Sequence, residues 1–170
     1  MEELLEKIRN IPDFPKKGIL FRDITPLLQD AIFFRKTIDL LAKQCPEEID
    51  LIVSAEARGF ILGAALAYKL GVGFIPVRKP GKLPYETEKV KYELEYGEDT
   101  MEIHKDAIKK GDKILVLDDL LATGGTARAI CDLVEKLGGE IKEVLFLIEL
   151  TSLKGREKIK EYNISSLIGY

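Results

Sequence analysis

One stretch of the chain places two adjacent acidic residues shortly before a glycine-rich turn. Asp118 and Asp119 end a run of four apolar residues, and a Thr-Gly-Gly-Thr turn follows shortly after them. Glycines let the backbone turn tightly and approach a ligand closely. Where such a turn opens a helix, its N–H groups and the helix dipole can bind an anion. We call this turn the phosphate cup, and it consists of Ala122, Thr123, Gly124, Gly125 and Thr126.

The two acids restrict which phosphate ester fits. Adjacent carboxylates would repel a polyphosphate, but they can accept hydrogen bonds from sugar hydroxyls and can support a metal. The stretch lacks the lysine of a nucleotide-triphosphate loop and the three spaced glycines of a dinucleotide fingerprint. The pattern therefore indicates a phosphorylated ribose, although two acids before a Gly-Gly turn also fit an ordinary capped turn.

Short apolar strands alternate with helices around this stretch. We expect a helix after the cup that stops at Gly138-Gly139, another helix over 58–70, and strands over 49–54, 73–77, 113–118, 143–149 and 164–168. Such alternation predicts an α/β fold with a parallel sheet that is buried on both faces. Ligands of these sheets bind at the carboxyl ends of the strands, where the two acids are expected.

The N-terminal part of the chain is less regular. Leu4, Leu5 and Ile8 predict a short amphipathic helix that stops by Pro12. Segment 12–26 is irregular but contains apolar residues, and we expect these to cover a surface that the sequence does not identify. Asp30 is a suitable N-cap for a helix that follows it. Because no repeat or linker-like stretch interrupts the sequence, we expect one domain over residues 1–170.

Composition argues against several classes of protein. The net charge is −3, so no global basic field favours nucleic acid or a membrane surface. No apolar run approaches the roughly 20 residues of a membrane span, and the charged N-terminus does not resemble a signal peptide. Two distant cysteines, Cys45 and Cys131, read as reduced thiols. We expect a soluble, cytoplasmic protein.

Residues 78–91, here the basic segment, break the alternation. They contain two prolines and a glycine, and basic side chains outnumber acidic ones by five to two. This composition predicts a mobile basic loop, although the solvated tip of a hairpin fits it too. His104 is the only histidine of the chain, and we assign it no role.

The stretch from Ile114 to Thr126 closely resembles the PRPP-binding motif of the type I phosphoribosyltransferases, where PRPP is 5-phosphoribosyl-1-diphosphate. Segments that resemble the adenine-specific members of that family lie at 12–26, 56–60, 77–84, 92–97 and 149–157. Ser54, Tyr85 and Lys91 depart mildly from the family pattern. The resemblance implies a mostly parallel, twisted sheet flanked by helices, with a small hood from the N-terminal segment and a mobile basic loop.

The resemblance also implies a role for each candidate site residue. The cup would hold the 5-phosphate of PRPP, and Asp118 and Asp119 would hold its ribose hydroxyls. The diphosphate would be bound by Arg58, Arg78, Lys79 and Lys82. Adenine would be bound by Leu20, Phe21 and Arg22, with the Phe21 ring stacked on the purine. Glu95 would transfer the proton that must move in the purine base during the reaction. The resemblance further implies that Mg²⁺ takes part and is held mainly by PRPP. It also implies that the protein is a homodimer.

Several of these residues also have an ordinary structural interpretation. Phe21 fits a core aromatic, Arg58 fits a salt bridge at a helix start, and Glu95 fits an exposed strand. The alternative functions are transfer to another purine, a PRPP-sensing regulator and a non-catalytic partner subunit. A regulator usually needs an added DNA-binding domain, for which this chain has no basic helix-turn-helix segment. Both non-catalytic alternatives are disfavoured because the catalytic loop is retained.

Overall fold

The computed structural model describes residues 2–93 and 98–170, and contacts group the chain into two compact units, Met1–Leu40 and Leu41–Tyr170. The first unit starts with helix α1 (Glu2–Leu5). An antiparallel pair follows, with strands β1 (Arg9–Pro12) and β2 (Leu20–Asp23). Helices α2 (Thr25–Gln29) and α3 (Ala31–Gln44) come next along the chain.

The start of α3 agrees with its sequence signal, whereas α1 is shorter than predicted. The Asp30 carboxylate accepts hydrogen bonds from the amides of Ile32 at 3.1 Å and Phe33 at 3.3 Å, as an N-cap does. Helix α1 ends at Leu5, well before Pro12. From Arg9 onward the chain pairs with β2 instead, so strand pairing overrides the helical spacing of the apolar residues.

The second unit contains a five-stranded sheet and two long helices. In chain order the elements are β3 (Leu51–Ala55), α4 (Arg58–Leu70), β4 (Gly73–Val77), β5 (Thr87–Glu93), β6 (Glu98–His104), β7 (Lys113–Leu121), α5 (Gly125–Lys136), β8 (Glu140–Glu149) and β9 (Ile164–Gly169). Two short 3-10 turns, Thr151–Leu153 and Gly155–Ile159, connect β8 to β9.

The sheet has the order β4-β3-β7-β8-β9, and every pairing in it is parallel. Residues Ile114–Leu117 of β7 and Val144–Ile148 of β8 are fully buried, because helices cover the sheet and apolar side chains face both sides. The predicted α/β class and parallel sheet are confirmed. Strand β7 is longer than predicted and runs on to Leu121, so the two acids lie within it.

The prediction of a loop over the whole basic segment is wrong for its second half. Thr87–Glu93 forms β5, which pairs antiparallel with β6. Val90 and Tyr92 are buried on one face of this ribbon while Lys89 and Lys91 are exposed on the other. The high density of charge concealed this two-residue alternation, which is the signature of a half-buried strand.

Candidate active site

The phosphate cup lies where β7 passes into α5. Gly124 precedes the helix with a φ of 81° and a ψ of 0°, a left-handed conformation that favours glycine, and Gly125 is the first helical residue. A cavity of about 80 Å³ opens here, several times the roughly 10–15 Å³ that one water molecule requires. It is lined by Asp118, Leu120, Leu121 and Ala122–Ala127. The structure therefore brings the whole predicted cup and one of the two acids to one cavity.

The backbone of the cup is packed against a later part of the chain. A Cβ atom added to Gly124 would lie 2.4 Å from the carbonyl oxygen of Gly155. Conversely, a Cβ atom added to Gly155 would lie 2.3 Å from the carbonyl oxygen of Ala122. Both distances are far below van der Waals contact, so this approach requires glycine on both sides. Gly155 is thus part of the wall behind the cup.

Asp118 and Asp119 are both buried, with 9% and 7% of their surface exposed. Asp118 Oδ1 accepts a hydrogen bond of 2.9 Å from the Asp119 amide, and Asp119 Oδ2 lies 2.6 Å from Arg58 Nη2. Burial raises the pKa of Asp118 well above its usual range, and the charge of Asp119 adds to this shift. Burial also raises the pKa of Asp119, with Arg58 offsetting part of the effect.

Arg58 is the first residue of α4, and its guanidinium is paired with an acid of the cavity region. The structure thus shows the salt bridge at a helix start that the sequence analysis gave as the alternative interpretation of Arg58. The pair places a cation beside the two buried carboxylates, where it partly neutralises them. Whether the same guanidinium binds diphosphate stays a prediction.

Two of the three cations predicted in the basic segment are also paired with carboxylates. Arg78 Nη2 lies 3.1 Å from Glu56 Oε2, and the Lys79 amide donates a hydrogen bond of 2.5 Å to Glu56 Oε1. Lys79 Nζ contacts the Asp99 carboxylate, whereas Lys82 is exposed. Burial alone would raise the pKa of Glu56, but the Lys79 amide and the Arg78 guanidinium outweigh it and hold that pKa below its usual range. Arg78 and Lys79 are therefore already charge-compensated here.

The residues predicted to bind adenine lie together on β2, in the first unit. The Phe21 ring packs edge-on against Phe14, with centroids 5.1 Å apart, and Phe21 is only partly buried. Phe14 is 50% and Leu20 45% exposed, so this part of the unit presents apolar surface. Leu20 and Arg22 are two positions apart, and their backbone polar groups consequently point to the same edge of the strand. Stacking on a purine stays a prediction.

Glu95, the predicted acid–base residue, lies outside the described residues, and its role stays a prediction. Tyr92, three positions before it, is buried and its hydroxyl lies 3.3 Å from Asp99 Oδ2. His104 is half-buried, and its ring packs edge-on against Tyr85 at a centroid distance of 6.1 Å.

Three residues that the sequence did not single out, Glu149, Gly155 and Arg156, belong to the segment that packs behind the cup. Gly155 contacts its backbone, as described above. The adjacent Arg156 donates from Nε to Glu149 Oε1 and from Nη2 to Glu149 Oε2, both at 2.7 Å. These residues lie in the 149–157 segment that carried the family resemblance, but their residue types alone indicate no chemistry.

Comparison with known proteins agrees with this architecture. A family model of the phosphoribosyl transferase domain matches residues 27–168. An adenine phosphoribosyltransferase of Clostridium botulinum is 59% identical over 168 residues, which cover 98% of either chain.

Solved structures are similar over the full length as well. The adenine phosphoribosyltransferase of Thermoanaerobacter pseudethanolicus is 58% identical with a TM-score of 0.98, and the alignment covers 99% of both chains. The yeast enzyme of the same name, from Saccharomyces cerevisiae, is 45% identical with a TM-score of 0.90 over 98% of this chain and 96% of that one. It was crystallised with adenine and a dideoxy-imino-altritol bisphosphate. Within the described part of this chain, no helix has the length and apolar character needed to cross a membrane.

Proposed function

The chain belongs to the phosphoribosyltransferase family, and from this premise we propose that it transfers 5-phosphoribose from PRPP to adenine, giving AMP and diphosphate. The observation that carries the proposal is the cavity that joins the phosphate cup to a buried acid. Relatives that are named adenine phosphoribosyltransferase and align over the full chain support adenine as the acceptor.

The cup is suited to the 5-phosphate of PRPP. Its amides lie at the N-terminus of the 12-residue helix α5, where unpaired N–H groups and the positive end of the helix dipole favour an anion. The hydroxyls of Thr123 and Thr126 add further donors. Among the residues that the structure describes, the cavity lining contains no lysine or arginine, so the backbone would provide much of the binding.

The acids are suited to the ribose and to the charge that develops on it. Cleavage at C1′ gives the ribose ring oxocarbenium character, and nearby carboxylates stabilise that positive charge. Because Asp118 and Asp119 are buried, an ionised carboxylate there attracts a developing positive charge more strongly than it would in water. The electrostatic stabilisation is therefore larger in the transition state than in the ground state.

The diphosphate would be bound by Arg58, Arg78, Lys79 and Lys82. The first three are paired with Asp119, Glu56 and Asp99, respectively. To bind these cations, diphosphate would therefore have to displace the carboxylates or share the cations with them. Closure of the part of the basic segment that joins β4 to β5, residues 78–86, would exclude water from the site, which otherwise hydrolyses PRPP.

Adenine would be held by Phe21 stacking and by the backbone of Leu20 and Arg22. Adenine offers an acceptor at N1 and a donor at N6, and hypoxanthine and guanine invert both groups. A site built on such hydrogen bonds can reject the wrong base by roughly 10⁴-fold. Glu95 would handle the proton that the purine must lose as N9 attacks C1′.

Mg²⁺ fits this donor set as a partner of the substrate. Proteins commonly hold Mg²⁺ through one or two carboxylates together with substrate phosphates. Among the described residues, no three acids, histidines or cysteines cluster as a metal site of their own. As the family resemblance implies, we propose that Mg²⁺ binds mainly to PRPP, where it would neutralise diphosphate charge.

We further expect a cytoplasmic homodimer that binds neither nucleic acid nor membrane. Ile61 and Tyr68 on α4 are 43% and 92% exposed, and apolar surface of this kind supports self-association. Light scattering at micromolar concentration tests the dimer directly, and a monomeric mass would exclude it.

The test of the proposed function is a panel of bases incubated with PRPP and Mg²⁺. We expect AMP from adenine and no nucleotide from hypoxanthine, guanine or orotate. A product from another purine would select that alternative, and PRPP binding without any product would select a regulator.

A second test addresses Glu95. Glu95→Gln should lower turnover with little change in the affinity for PRPP, while Glu98→Gln, an exposed neighbour on β6, should not. Equal turnover of the Glu95→Gln variant and the wild type would remove the acid–base role.

A further inference from the structure

We propose that Glu149 and Arg156 are positioning residues that set the affinity of the phosphate cup for the phosphoribosyl group. Neither side chain lines the cavity. Both act through Gly155, whose backbone forms the wall behind the cup. The inference rests on the proposed function for the identity of the ligand, but its central test uses binding alone.

The ion pair is a two-point contact with a buried acid. Glu149 is 7% exposed, and both of its carboxylate oxygens accept hydrogen bonds from the Arg156 guanidinium at 2.7 Å. Ser166 on β9 donates a third hydrogen bond to Glu149 Oε2 at 2.8 Å. Two-point pairing of arginine with a carboxylate fixes orientation as well as distance. The guanidinium therefore has one well-defined position.

That position fixes the path of the turn that carries Gly155. Arg156 Nη1 also donates to the Ile164 carbonyl at 2.9 Å, so the guanidinium ties the turn to both β8 and β9. On the side of the cup, the Leu150 amide donates to the Leu121 carbonyl at 2.9 Å. The chain between these anchors is short, and Gly155 directly precedes Arg156. These hydrogen bonds restrain the turn, and their loss would consequently give the Gly155 backbone more freedom to move.

Movement of Gly155 reaches the ligand-binding amides directly. The Gly155 carbonyl oxygen lies against the position that a Gly124 Cβ atom would occupy. The position of a Gly155 Cβ atom in turn lies against the Ala122 carbonyl oxygen. Interiors packed this closely transmit displacements instead of absorbing them. A misplacement of about 1 Å in a binding site can reduce activity by about 100-fold. Loss of the ion pair is therefore expected to widen the cup and weaken phosphate binding.

The same strand offers a matched control. Glu143 on β8 is also buried, at 9% exposed, and it accepts a hydrogen bond from Ser165 on β9. Glu143 and Glu149 thus share strand, burial and a serine partner on β9. Glu149 is hydrogen-bonded to Arg156 beside Gly155, whereas Glu143 acts on Arg156 through its charge without such a bond among the described contacts. A purely structural role predicts similar consequences for Glu143→Gln and Glu149→Gln, whereas a positioning role predicts a difference in ligand affinity.

The experiment measures binding of ribose 5-phosphate by calorimetry for the wild type, Glu149→Gln, Arg156→Lys and Glu143→Gln. We expect the dissociation constant to rise about 10-fold or more for Glu149→Gln. The rise should be smaller for Arg156→Lys, because lysine keeps the charge but loses the two-point geometry. For Glu143→Gln it should be less than about 2-fold. The KM for PRPP should rise in parallel with it, while the KM for adenine stays constant. Circular dichroism and melting curves show that each variant is folded at the assay temperature.

The outcomes separate this inference from the proposed function. Wild-type affinity for ribose 5-phosphate in folded Glu149→Gln, or equal weakening in Glu143→Gln, would overturn the positioning role. Arg156→Ala gives a second route to the same answer if Glu149→Gln does not fold. A wild type that binds ribose 5-phosphate but makes no AMP would refute the proposed reaction and leave the positioning comparison intact.

Discussion

A methyl group on Gly124 is the smallest change that probes the cup. Gly124→Ala adds a Cβ atom 2.4 Å from the Gly155 carbonyl oxygen, at a residue whose φ is 81°. Two penalties arise from this substitution. A non-glycine residue in the left-handed region costs about 1–2 kcal/mol. The overlap adds to that cost, because unbonded heavy atoms pack at about 3.5 Å, so the two backbones must separate by about 1 Å.

The two penalties have different observable effects. The conformational cost lowers stability, and for a chain of this size about 1–2 kcal/mol corresponds to a fall of several degrees in Tm. The separation of about 1 Å displaces the amides that we propose bind the 5-phosphate, and we expect it to lower kcat/KM for PRPP by about 100-fold. A 100-fold change corresponds to about 2.7 kcal/mol of transition-state stabilisation.

The assay compares Gly124→Ala with Gly71→Ala in steady-state kinetics and thermal melts. Gly71 ends α4 with a φ of 72°, and a Cβ atom there would meet no atom within 4 Å among the described residues. Gly71→Ala therefore has a similar conformational cost without the overlap, and its KM for PRPP should match that of the wild type. If Gly124→Ala keeps the wild-type KM and loses no more stability than Gly71→Ala, the packing of the cup does not control binding.

Three other predictions concern ionisable groups. Folding raises the pKa of Asp118. The stability that this group contributes is therefore present below about pH 4 and is lost as the pH rises through the raised pKa. The Tm of Asp118→Asn should consequently exceed that of the wild type by an amount that grows with pH. For Glu149 the sign is opposite, because the Arg156 hydrogen bonds outweigh burial and lower its pKa; the Tm deficit of Glu149→Gln should shrink as pH falls below about 4. Burial raises the pKa of Cys131 to about 12, so a thiol-specific reagent at pH 8 should label it only as fast as the protein unfolds.

Each of these predictions has a contrary result. A constant Tm difference between Asp118→Asn and the wild type across pH 4–8 would show that Asp118 keeps its ordinary pKa. A deficit of Glu149→Gln that grows in acid would reverse the sign assigned to its ion pair. Rapid labelling of Cys131 in the folded protein, followed by mass spectrometry, would show that its helix opens locally.

The parallel sheet and the cup were predictable because their signals are local. Four apolar residues, two acids and a Gly-Gly turn lie consecutively, so strand, cavity and helix start follow from neighbouring residues. The apolar helix α4 and its end at Gly71 are local signals of the same kind. Only the bounds of the strands shifted, as β7 did when it continued past the acids.

Features that depend on distant contacts were not predictable. The partner of Arg58 is Asp119, on a strand far along the chain, and no pattern around Arg58 indicates it. Gly155 reads as an ordinary turn residue until its backbone is found against Gly124. The ribbon of β5 and β6 was missed for another reason, since charged residues on its exposed face outweighed the buried Val90 and Tyr92 in the sequence pattern.

The contact between Gly124 and Gly155 also has a consequence for the order of assembly. During synthesis the cup emerges before the rest of α5, β8 and the Gly155 turn, and N-terminal parts of a chain can begin to fold first. A contact between residues so far apart forms only after the entropy of closing the intervening loop has been overcome. A nascent chain that ends before residue 155 therefore has the amides of the cup but not its rear wall. We therefore expect the cup to be completed late, after β8 has joined the sheet and the Gly155 turn has packed against Gly124.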